Sequence, residues 1–387
     1  MKNKERIQWA KNAVYNCVTY LVKFSTVKIT PKTLLIIKTN EIGDYVLWRN
    51  LLPCITGSQK FKNYHVTLLG SSAWKSFFEA LDSSYVDEAI WIDKKLFKKN
   101  MLYRYQLQKK IRKSGFEVVV NMMASRNMRE DDAFVLSLNH SFKIGDTSDD
   151  TNKFSFEKGY DKDIYDVLIN TENAVFEFDK NKVFAEKLIN EKLPLSLKPY
   201  INIDMQLPPA LLGKKYFVVF TGSGRKEKIW PVENFVQSAN HIVKKLNLIP
   251  VVCGSKDDMP TVLNFENMYK GEMVNMCGKT SLPQFANILK HAALLLSVDT
   301  GAVHIAAAVN CIVFGIFNGT RFGRFAPYPK EISSNFYSVF PDKVEEDIKN
   351  GNIAAYEGVC EIPYSDVTTE KVIKTIDAVF AIKKVKD

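Results

Sequence analysis

The sequence lacks the features that mark several common classes of protein. None of its six cysteines, at positions 17, 54, 253, 277, 311 and 360, is paired as C-x-x-C. We therefore expect buried, reduced thiols in a cytoplasmic protein. No apolar run reaches the ~18 residues that a membrane-spanning helix needs. The N-terminal stretch has no small-residue cleavage site, so no signal peptide is expected.

Signals for nucleic-acid recognition are also missing. The chain has 387 residues and a net charge of +10, with 53 Lys and Arg against 43 Asp and Glu. It has no Arg-rich arm, no zinc-finger spacing and no RNP-type aromatic strand, so no nucleic-acid partner is predicted. The positive excess is diffuse and fits phosphate-rich or membrane-surface partners.

Residues 1–32 form a basic segment whose only acid is Glu5. Its apolar residues recur at helical spacing and predict a short amphipathic helix; they are Ile7, Ala10, Val14, Val18 and Leu21. Two interpretations stay open. The helix docks on an anionic inner leaflet as a peripheral membrane contact, or it packs on its own domain.

From Thr33 onward, short apolar strands alternate with helical patterns, which predicts an α/β fold with two Rossmann-like domains facing a cleft. We place the N-terminal domain at 33–190 and the C-terminal domain at 191–387. Predicted strands lie at 34–37, 65–69, 89–92, 116–120, 216–220, 249–253, 294–298 and 312–317. Predicted helices lie at 45–55, 74–81, 103–113, 176–191, 232–246, 282–291 and 368–382. Residues 146–165 are polar and acidic, which predicts a surface loop.

The stretch from Leu294 to Tyr328 has the pattern of a strand, a turn, a short helix and a second strand. The turn, Asp299-Thr300-Gly301, should lie at the carboxyl edge of a parallel sheet, where such sheets bind ligands. Gly301 permits close approach, Thr300 offers a hydroxyl, and the helix N-terminus suits an anion. Asp299 either caps the helix or accepts hydrogen bonds from a sugar hydroxyl.

A second glycine-rich turn, residues 221–231, carries three cations, Arg225, Lys226 and Lys228, before Trp230-Pro231 opens a helix. Cations on such a turn suit a diphosphate, although a solvated basic loop is the alternative. A third turn ends in Asp44, which follows a strand and Gly43. That carboxylate is either a general base facing the cleft or a helix cap.

These motifs resemble glycosyltransferase family 9, whose best-known members are the lipopolysaccharide heptosyltransferases. The matching elements are K-x-x-x-x-G-D at 38–44, G-x-x-x-x-K-x-W-P at 222–231 apart from its exact spacing, and D-T-G-x-x-H-x-A-A-A from 299. The chain departs from the pattern at Asn40-Glu41 and at Asn318-Gly319-Thr320.

The resemblance implies a GT-B-type fold and assigns a role to each site residue. Asp44 takes the place of the catalytic base, and Lys228 that of the lysine on the donor phosphates. Ser223 and Gly224 fall on phosphate-facing positions. The remaining donor-binding residues are Asp299, Thr300, Gly301 and His304, although a lone histidine is more often structural. Arg126 and Arg129 correspond to a basic region that meets an anionic acceptor, with surface charge as the alternative.

The implied function is inverting, metal-independent transfer of a sugar, by family default heptose from ADP-heptose, onto lipopolysaccharide or another cell-envelope glycan. No cofactor is implied. Asp161-Lys162-Asp163 has the D-x-D spacing of metal-dependent glycosyltransferases, but no strand precedes it. Asp257 and Asp258 could reach a ribose, although loop capping is the simpler interpretation. A nucleotide-sugar epimerase of the same fold and a non-catalytic nucleotide-sugar-binding protein are the alternative functions.

Overall fold

The computed structural model describes residues 3–147, 149–150, 152–224 and 228–384. The chain divides into two units of similar size. The first comprises Met1–Ala174 and Phe178–Leu197, and the second comprises Val175–Glu177 and Lys198–Asp387. The predicted domain limits differ from these by a few residues around 175–197, and the N-terminal extension belongs to the first unit.

The first unit is built on a six-stranded, all-parallel sheet with the order β3-β2-β1-β4-β5-β6. Its strands are β1 Thr30–Lys38, β2 His65–Ser71, β3 Glu88–Ile92, β4 Phe116–Asn121, β5 Phe142–Asp146 and β6 Val167–Ile169. Its helices are α1 Asn3–Lys23, α2 Ile42–Val46, α3 Leu52–Thr56, α4 Lys75–Leu81, α5 Lys94–Lys99, α6 Met101–Lys113, α7 Asp131–Ser137, α8 Asp161–Ile164 and α9 Glu177–Ile189.

The second unit has its own six parallel strands in the order β12-β11-β10-β7-β8-β9. Read from β9 to β12, this is the same order as in the first sheet. The strands are β7 Tyr216–Phe220, β8 Ile249–Cys253, β9 Val274–Asn275, β10 Leu295–Val298, β11 Val313–Ile316 and β12 Phe336–Val339. The helices are α10 Val232–Leu246, α11 Met259–Met268, α12 Leu282–His291, α13 Gly301–Ala308, α14 Asp342–Lys349 and α15 Thr369–Lys384.

Continuous apolar runs place β1 and β10 at the centres of the two sheets. Residues 34–37 of β1 and 294–296 of the β10 run are fully buried, as strands covered on both faces should be. β1 pairs with β2 and β4, while β10 pairs with β7 and β11. The turns that follow β1, β7 and β10 therefore lie at the carboxyl edges of their sheets.

The predicted α/β fold class is confirmed in both units, and α10 and α12 have the predicted bounds. The predicted helix at 45–55 is broken into α2 and α3. Arg49, between them, forms a buried ion pair with Asp82 at 2.6 Å, and Pro53 occupies the first turn of α3. A proline suits a first turn but not a helix interior, which explains the break.

Two further expectations require correction. The stretch 146–165 is not a surface loop throughout, because Glu157 and Asp161 are buried among partners from other elements. All six cysteines are free thiols, but only those at 253, 277 and 311 are buried, while Cys17 is exposed and Cys54 and Cys360 are partly exposed.

Candidate functional site

An ion pair joins the two predicted donor-binding turns of the second unit. The Lys228 ammonium contacts the carboxylate of Asp299, and Nζ also lies 3.4 Å from the backbone oxygen of that residue. β7 and β10 are neighbours in the sheet, so the segments that follow them meet at one edge. Both side chains keep a partly exposed surface, 22 % for Lys228 and 13 % for Asp299.

The N-terminus of α13 is capped by Thr300. Its hydroxyl accepts a hydrogen bond from the backbone N–H of Ala302 at 3.3 Å, and Gly301 is the first helical residue. The capping interpretation of Asp299 is therefore wrong. Asp299 lies outside the helix and directs its carboxylate to Lys228. The arrangement places a hydroxyl, a helix N-terminus and an ion pair within three consecutive residues.

A cavity of about 800 Å³ opens beside Lys228 within the second unit. This volume lies within the range of small-molecule sites. Its wall is formed by Gly224 and Lys228 on one side and by two further segments of the unit, Asn318 with Thr320, and residues 359–364. The cation of Lys228 thus lies at the border of a space large enough for a nucleotide.

The part of the cavity wall formed by residues 359–364 is held in place by Asn318. Its side-chain amide donates hydrogen bonds to the backbone oxygens of Cys360, at 3.1 Å, and Ile362, at 2.8 Å. The Thr320 hydroxyl accepts a hydrogen bond from the N–H of Cys360 at 3.0 Å. Between them, Gly319 has φ +95°, and a Cβ there would lie 2.8 Å from the Tyr356 ring, so this turn requires glycine.

Sequence reasoning missed the segment 359–364 as part of the site. The segment is irregular and contains no recognisable motif. The available signal was Asn318-Gly319-Thr320, noted only as a departure from the family pattern. In the structure these residues hold the cavity wall.

His304 is buried on α13 with 4 % of its surface exposed. Its Nδ1 lies 2.6 Å from the Tyr328 hydroxyl, and the two rings stack. Burial lowers the pKa of His304 to about 4; Asp299 acts in the opposite direction and Lys228 adds to the lowering. The side chain is therefore neutral near pH 7. This geometry favours the structural interpretation of His304 as a residue that fixes α13 against the segment carrying Tyr328.

The glycine-rich turn after β7 is described up to Gly224 and again from Lys228. Ser223 is half-buried and Gly224 is exposed at the cavity, while Arg225 and Lys226 lie outside the described residues.

A Cβ at Gly222 would lie 2.1 Å from the carboxylate of Asp258. That carboxylate accepts the N–H and hydroxyl of Ser255, both at 2.7 Å, as the loop-capping interpretation of Asp258 predicted.

In the first unit, Asp44 lies in the first turn of α2, after the carboxyl end of β1. The N-cap of this helix is Glu41, so Asp44 is not the N-cap residue. Asp44 is half-buried. Lys38, at the end of β1, is fully buried, and its ammonium donates to the Met122 oxygen at 3.0 Å and to the Asn181 side chain at 3.1 Å. Lys38 thus ties the ends of β1 and β4 to α9.

A buried carboxyl lies at the same edge and was not singled out from the sequence. Asp131, the first residue of α7, accepts a hydrogen bond from Thr39. Burial raises the pKa of Asp131 to about 7, against the opposing influence of nearby Lys94. The ammonium of Lys94 also lies 3.3 Å from Glu41. Asp131 therefore titrates near neutral pH next to the turn that carries Asp44.

The two predicted acceptor-binding arginines have different environments. Arg126 is fully buried, 3.3 Å from the carboxylates of both Asp132 and Asp161, with its guanidinium over the ring of Tyr165. This favours a structural role for Arg126. Arg129 keeps 19 % of its side chain exposed. Its guanidinium lies over the Phe154 ring and donates to the Asn152 oxygen at 3.2 Å, so Arg129 is the better placed of the two to meet a ligand.

Asp161 of the D-x-D sequence is held by cations, because it also contacts the Lys153 ammonium at 2.5 Å. Across the described parts of the chain, no three His, Cys, Asp or Glu side chains are grouped so that they could hold a metal ion.

The sequence is similar to known sugar-transferring proteins. Residues 104–350 match the model of glycosyltransferase family 9 (heptosyltransferase). The lipopolysaccharide core heptosyltransferase OpsX of Haemophilus influenzae is 27 % identical over 136 residues, 35 % of this chain and 38 % of the relative. Lipopolysaccharide heptosyltransferase 3 of Escherichia coli K12 is 27 % identical over 175 residues, 42 % of this chain and 48 % of the relative. These two matches span less than half the length of the relatives.

Solved structures share the fold over nearly the whole chain. A family 9 glycosyl transferase from Veillonella parvula superposes with a TM-score of 0.65 at 17 % identity, covering 92 % of this chain and 98 % of its own. The E. coli ADP-heptose heptosyltransferase II superposes with a TM-score of 0.63 at 15 % identity, covering 91 % and 99 %. At these identities the likeness shows a common α/β architecture.

Proposed function

The chain belongs to glycosyltransferase family 9, and we propose that it transfers a sugar from a nucleotide-sugar donor to a lipopolysaccharide or other cell-envelope glycan. The donor we propose is an ADP-sugar, with ADP-heptose as the first candidate. The structural relative WaaC of E. coli is described in complex with ADP and with ADP-2-deoxy-2-fluoro heptose.

The observation that carries this proposal is the Lys228–Asp299 pair at the border of the 800 Å³ cavity. A diphosphate next to Lys228 would compete with Asp299 for the ammonium, because both are anions. Once released, the Asp299 carboxylate could accept hydrogen bonds from hydroxyls of the donor. Ser223 and Gly224, on the same turn as Lys228, would lie along the diphosphate, and the α13 N-terminus would add backbone N–H donors.

In the proposed mechanism, Asp44 accepts the proton of an acceptor hydroxyl while the oxygen of that hydroxyl attacks the anomeric carbon of the donor sugar. The bond from that carbon to the diphosphate breaks on the opposite face, so the configuration inverts. Lys228 and the Thr300-Gly301 helix N-terminus stabilise the charge that develops on the departing diphosphate. We propose that these fixed positive groups perform this task without a metal ion. Arg129 is proposed to meet an anionic group of the acceptor.

The location we propose is the cytoplasmic side of the inner membrane, where residues 1–32 would supply a peripheral contact. Within the described residues, no helix has both the length and the hydropathy to span a bilayer.

The test is an incubation with ADP-heptose and a lipopolysaccharide-core acceptor, with products resolved by mass spectrometry. We expect a glycosylated acceptor and free ADP, and the yield of both should fall strongly when Lys228 is replaced by Met. Donor consumed without any acceptor present would instead indicate an epimerase. Nucleotide binding without turnover of either kind would indicate a non-catalytic binding protein.

A matched binding experiment separates donor choice from catalysis. Thermal unfolding is followed with ADP, UDP, GDP and dTDP, with and without the attached sugar. Selective stabilisation by the ADP compounds is expected, because a ligand that binds only the folded chain raises its melting temperature. Equal stabilisation by all four would contradict the choice of an ADP-sugar while leaving the reaction type open to the product assay.

A further inference from the structure

Helix α1 turns its apolar side toward solvent. Six large apolar or aromatic side chains on or directly after this helix have more than half of their surface exposed; they are Ile7 57 %, Trp9 56 %, Val14 54 %, Tyr20 60 %, Leu21 60 % and Phe24 84 %. At 3.6 residues per turn they occupy roughly half of the helix circumference, with exposed Ala10, Ala13 and Cys17 among them. We call this surface the α1 apolar face.

The opposite side of α1, which packs on α6 and α7, is largely polar. A surface helix normally buries its apolar side and exposes its polar one, so this arrangement is reversed. Side-chain hydrogen bonds attach the polar side to the first unit; they run from Asn12 to Glu157 at 3.0 Å, from Tyr15 to the Lys98 oxygen at 2.9 Å, and from Gln108 to Thr19 at 3.1 Å.

The C-terminal end of α1 is fixed as well. The guanidinium of Arg112 donates to the backbone oxygens of Lys23, at 2.8 Å, and Ser25, at 3.0 Å. Rotating the helix to bury its apolar side would break these bonds and those of the polar side. The orientation is thus determined by specific contacts, and α1 packs on its own domain, as one of the two sequence interpretations held, mainly through polar side chains and the buried Val22.

The charge around this face indicates what it contacts. Residues 1–32 contain seven Lys and Arg and one acid, Glu5. Lys11, Lys28 and Lys32 are exposed, and the Lys23 ammonium lies 4.9 Å from the centre of the exposed Tyr20 ring. Partial burial lowers the pKa of Lys23, and Lys143 and Arg112 lie close enough to add to this lowering, so three cationic side chains are neighbours at this end of the helix.

We propose that the α1 apolar face lies flat on an anionic lipid bilayer, with its aromatic and aliphatic side chains among the headgroups and its lysines on the lipid phosphates. Such a helix binds through apolar insertion combined with attraction to acidic lipids. Tyrosine and tryptophan suit this interface because each has an apolar ring and a polar group. A second copy of the chain fits less well, since pairing two such faces would bring like charges together.

The inference rests on the proposed location at the inner membrane and names the surface that makes the contact, and it can fail or hold independently of the sugar transfer. The experiment is co-flotation of the full chain with vesicles of phosphatidylcholine alone or mixed with phosphatidylglycerol. The variant carries Leu21→Asn and Phe24→Asn. The matched control is Leu195→Asn, because Leu195 is 98 % exposed in the same unit but outside α1.

We expect the parent chain and the control to float with the mixed vesicles, less so at high salt. The double variant should partition at least about 10-fold less, because two inserted side chains are lost. All three proteins should melt alike and bind ADP equally, which separates this test from that of the donor site. A parent that stays in the aqueous phase with both vesicle types would overturn the proposal. So would a double variant that floats like the parent, or a parent that is a dimer through this face and does not bind vesicles.

Discussion

The ammonium of Lys228 contacts the carboxylate of Asp299 at the edge of the second sheet. This pair links the turn after β7 to the turn after β10 and leaves both side chains partly exposed. An anionic ligand can therefore replace the Asp299 carboxylate as the partner of the Lys228 ammonium.

Lys228→Met should weaken donor binding strongly. A hydrogen bond to a charged group is worth about 1.5–3 kcal/mol, or roughly 10- to 100-fold in affinity. The substitution also leaves Asp299 next to the ligand phosphates without its partner. Isothermal titration with ADP measures the effect, and Asp299→Asn provides the comparison. Asp299→Asn removes the competing anion and should retain binding of ADP, whereas equal binding by the Lys228→Met variant and the parent would contradict the assignment of Lys228.

Asn318→Ala should raise the KM for the donor with little change in kcat. Two hydrogen bonds to the backbone of 360–362 are lost, at about 1 kcal/mol each. Because these bonds hold the cavity wall in place, the affinity for the donor should fall by roughly 10- to 30-fold. Cys360, partly exposed on this wall, reports the change. Its alkylation should be slowed by ADP in the parent and proceed faster in the variant. A fall in kcat at unchanged KM would instead assign Asn318 a part in the chemical step.

The stability of the chain should depend on pH through His304. The pKa of this residue is about 4 in the folded chain, below its ordinary 6.5, so the unfolded chain binds more protons between these values. The contribution of His304 to the free energy of unfolding is therefore fully present above about pH 7. It is lost as the pH drops toward 4, by up to about 3 kcal/mol. Urea unfolding at several pH values should show a shallower dependence for His304→Asn than for the parent. Identical slopes would indicate that His304 is not buried in its neutral form.

Substitutions of Arg126 and Arg129 should have different effects, the first on stability and the second on acceptor binding. Arg126→Met leaves Asp132 buried without its cation, while Asp161 keeps Lys153; breaking such a buried pair costs about 3–5 kcal/mol and should lower the melting temperature clearly. Arg129→Met should cost less than Arg126→Met, because Arg129 keeps part of its side chain in solvent and its buried partner Glu157, 3.7 Å away, retains the hydrogen bond from Asn12. If Arg129 meets the acceptor, its variant raises the acceptor KM several-fold at an unchanged donor KM. A large loss of stability in the Arg129 variant alone would reverse these assignments.

The regular parts of this fold follow from local pattern. Long apolar runs such as that of β1, and amphipathic repeats such as that of α10, could be read directly because their own residues determine burial. The strands β5 and β6 were not predicted, since both are short, and β6 is an edge strand, where fewer apolar residues are needed, with β5 next to it. The break between α2 and α3 was missed although Pro53, in the first turn of α3, was visible in the sequence, whereas the ion pair of Arg49 with Asp82 was not.

The site shows the same division. The turns carrying Asp44, Lys228 and Thr300 were predicted, because glycines and charges after apolar strands mark sheet edges. Asn318 and residues 359–364 were not, since their role comes from contacts between distant segments. Burial of Arg126 depends on carboxylates from separate elements. The outward apolar face of α1 could not be read from spacing, which fixes which residues share a face but not where that face points.

We propose that Asp44 is the base of the sugar transfer, and the turnover of Asp44→Asn with ADP-heptose and a lipopolysaccharide-core acceptor tests this role. The control is Glu41→Gln, which alters an exposed carboxylate on the same turn. We predict that Asp44→Asn lowers kcat by roughly 100- to 10,000-fold while ADP binding stays within about two-fold and Glu41→Gln retains activity. Turnover of Asp44→Asn within a few-fold of the parent would show that Asp44 is not the base.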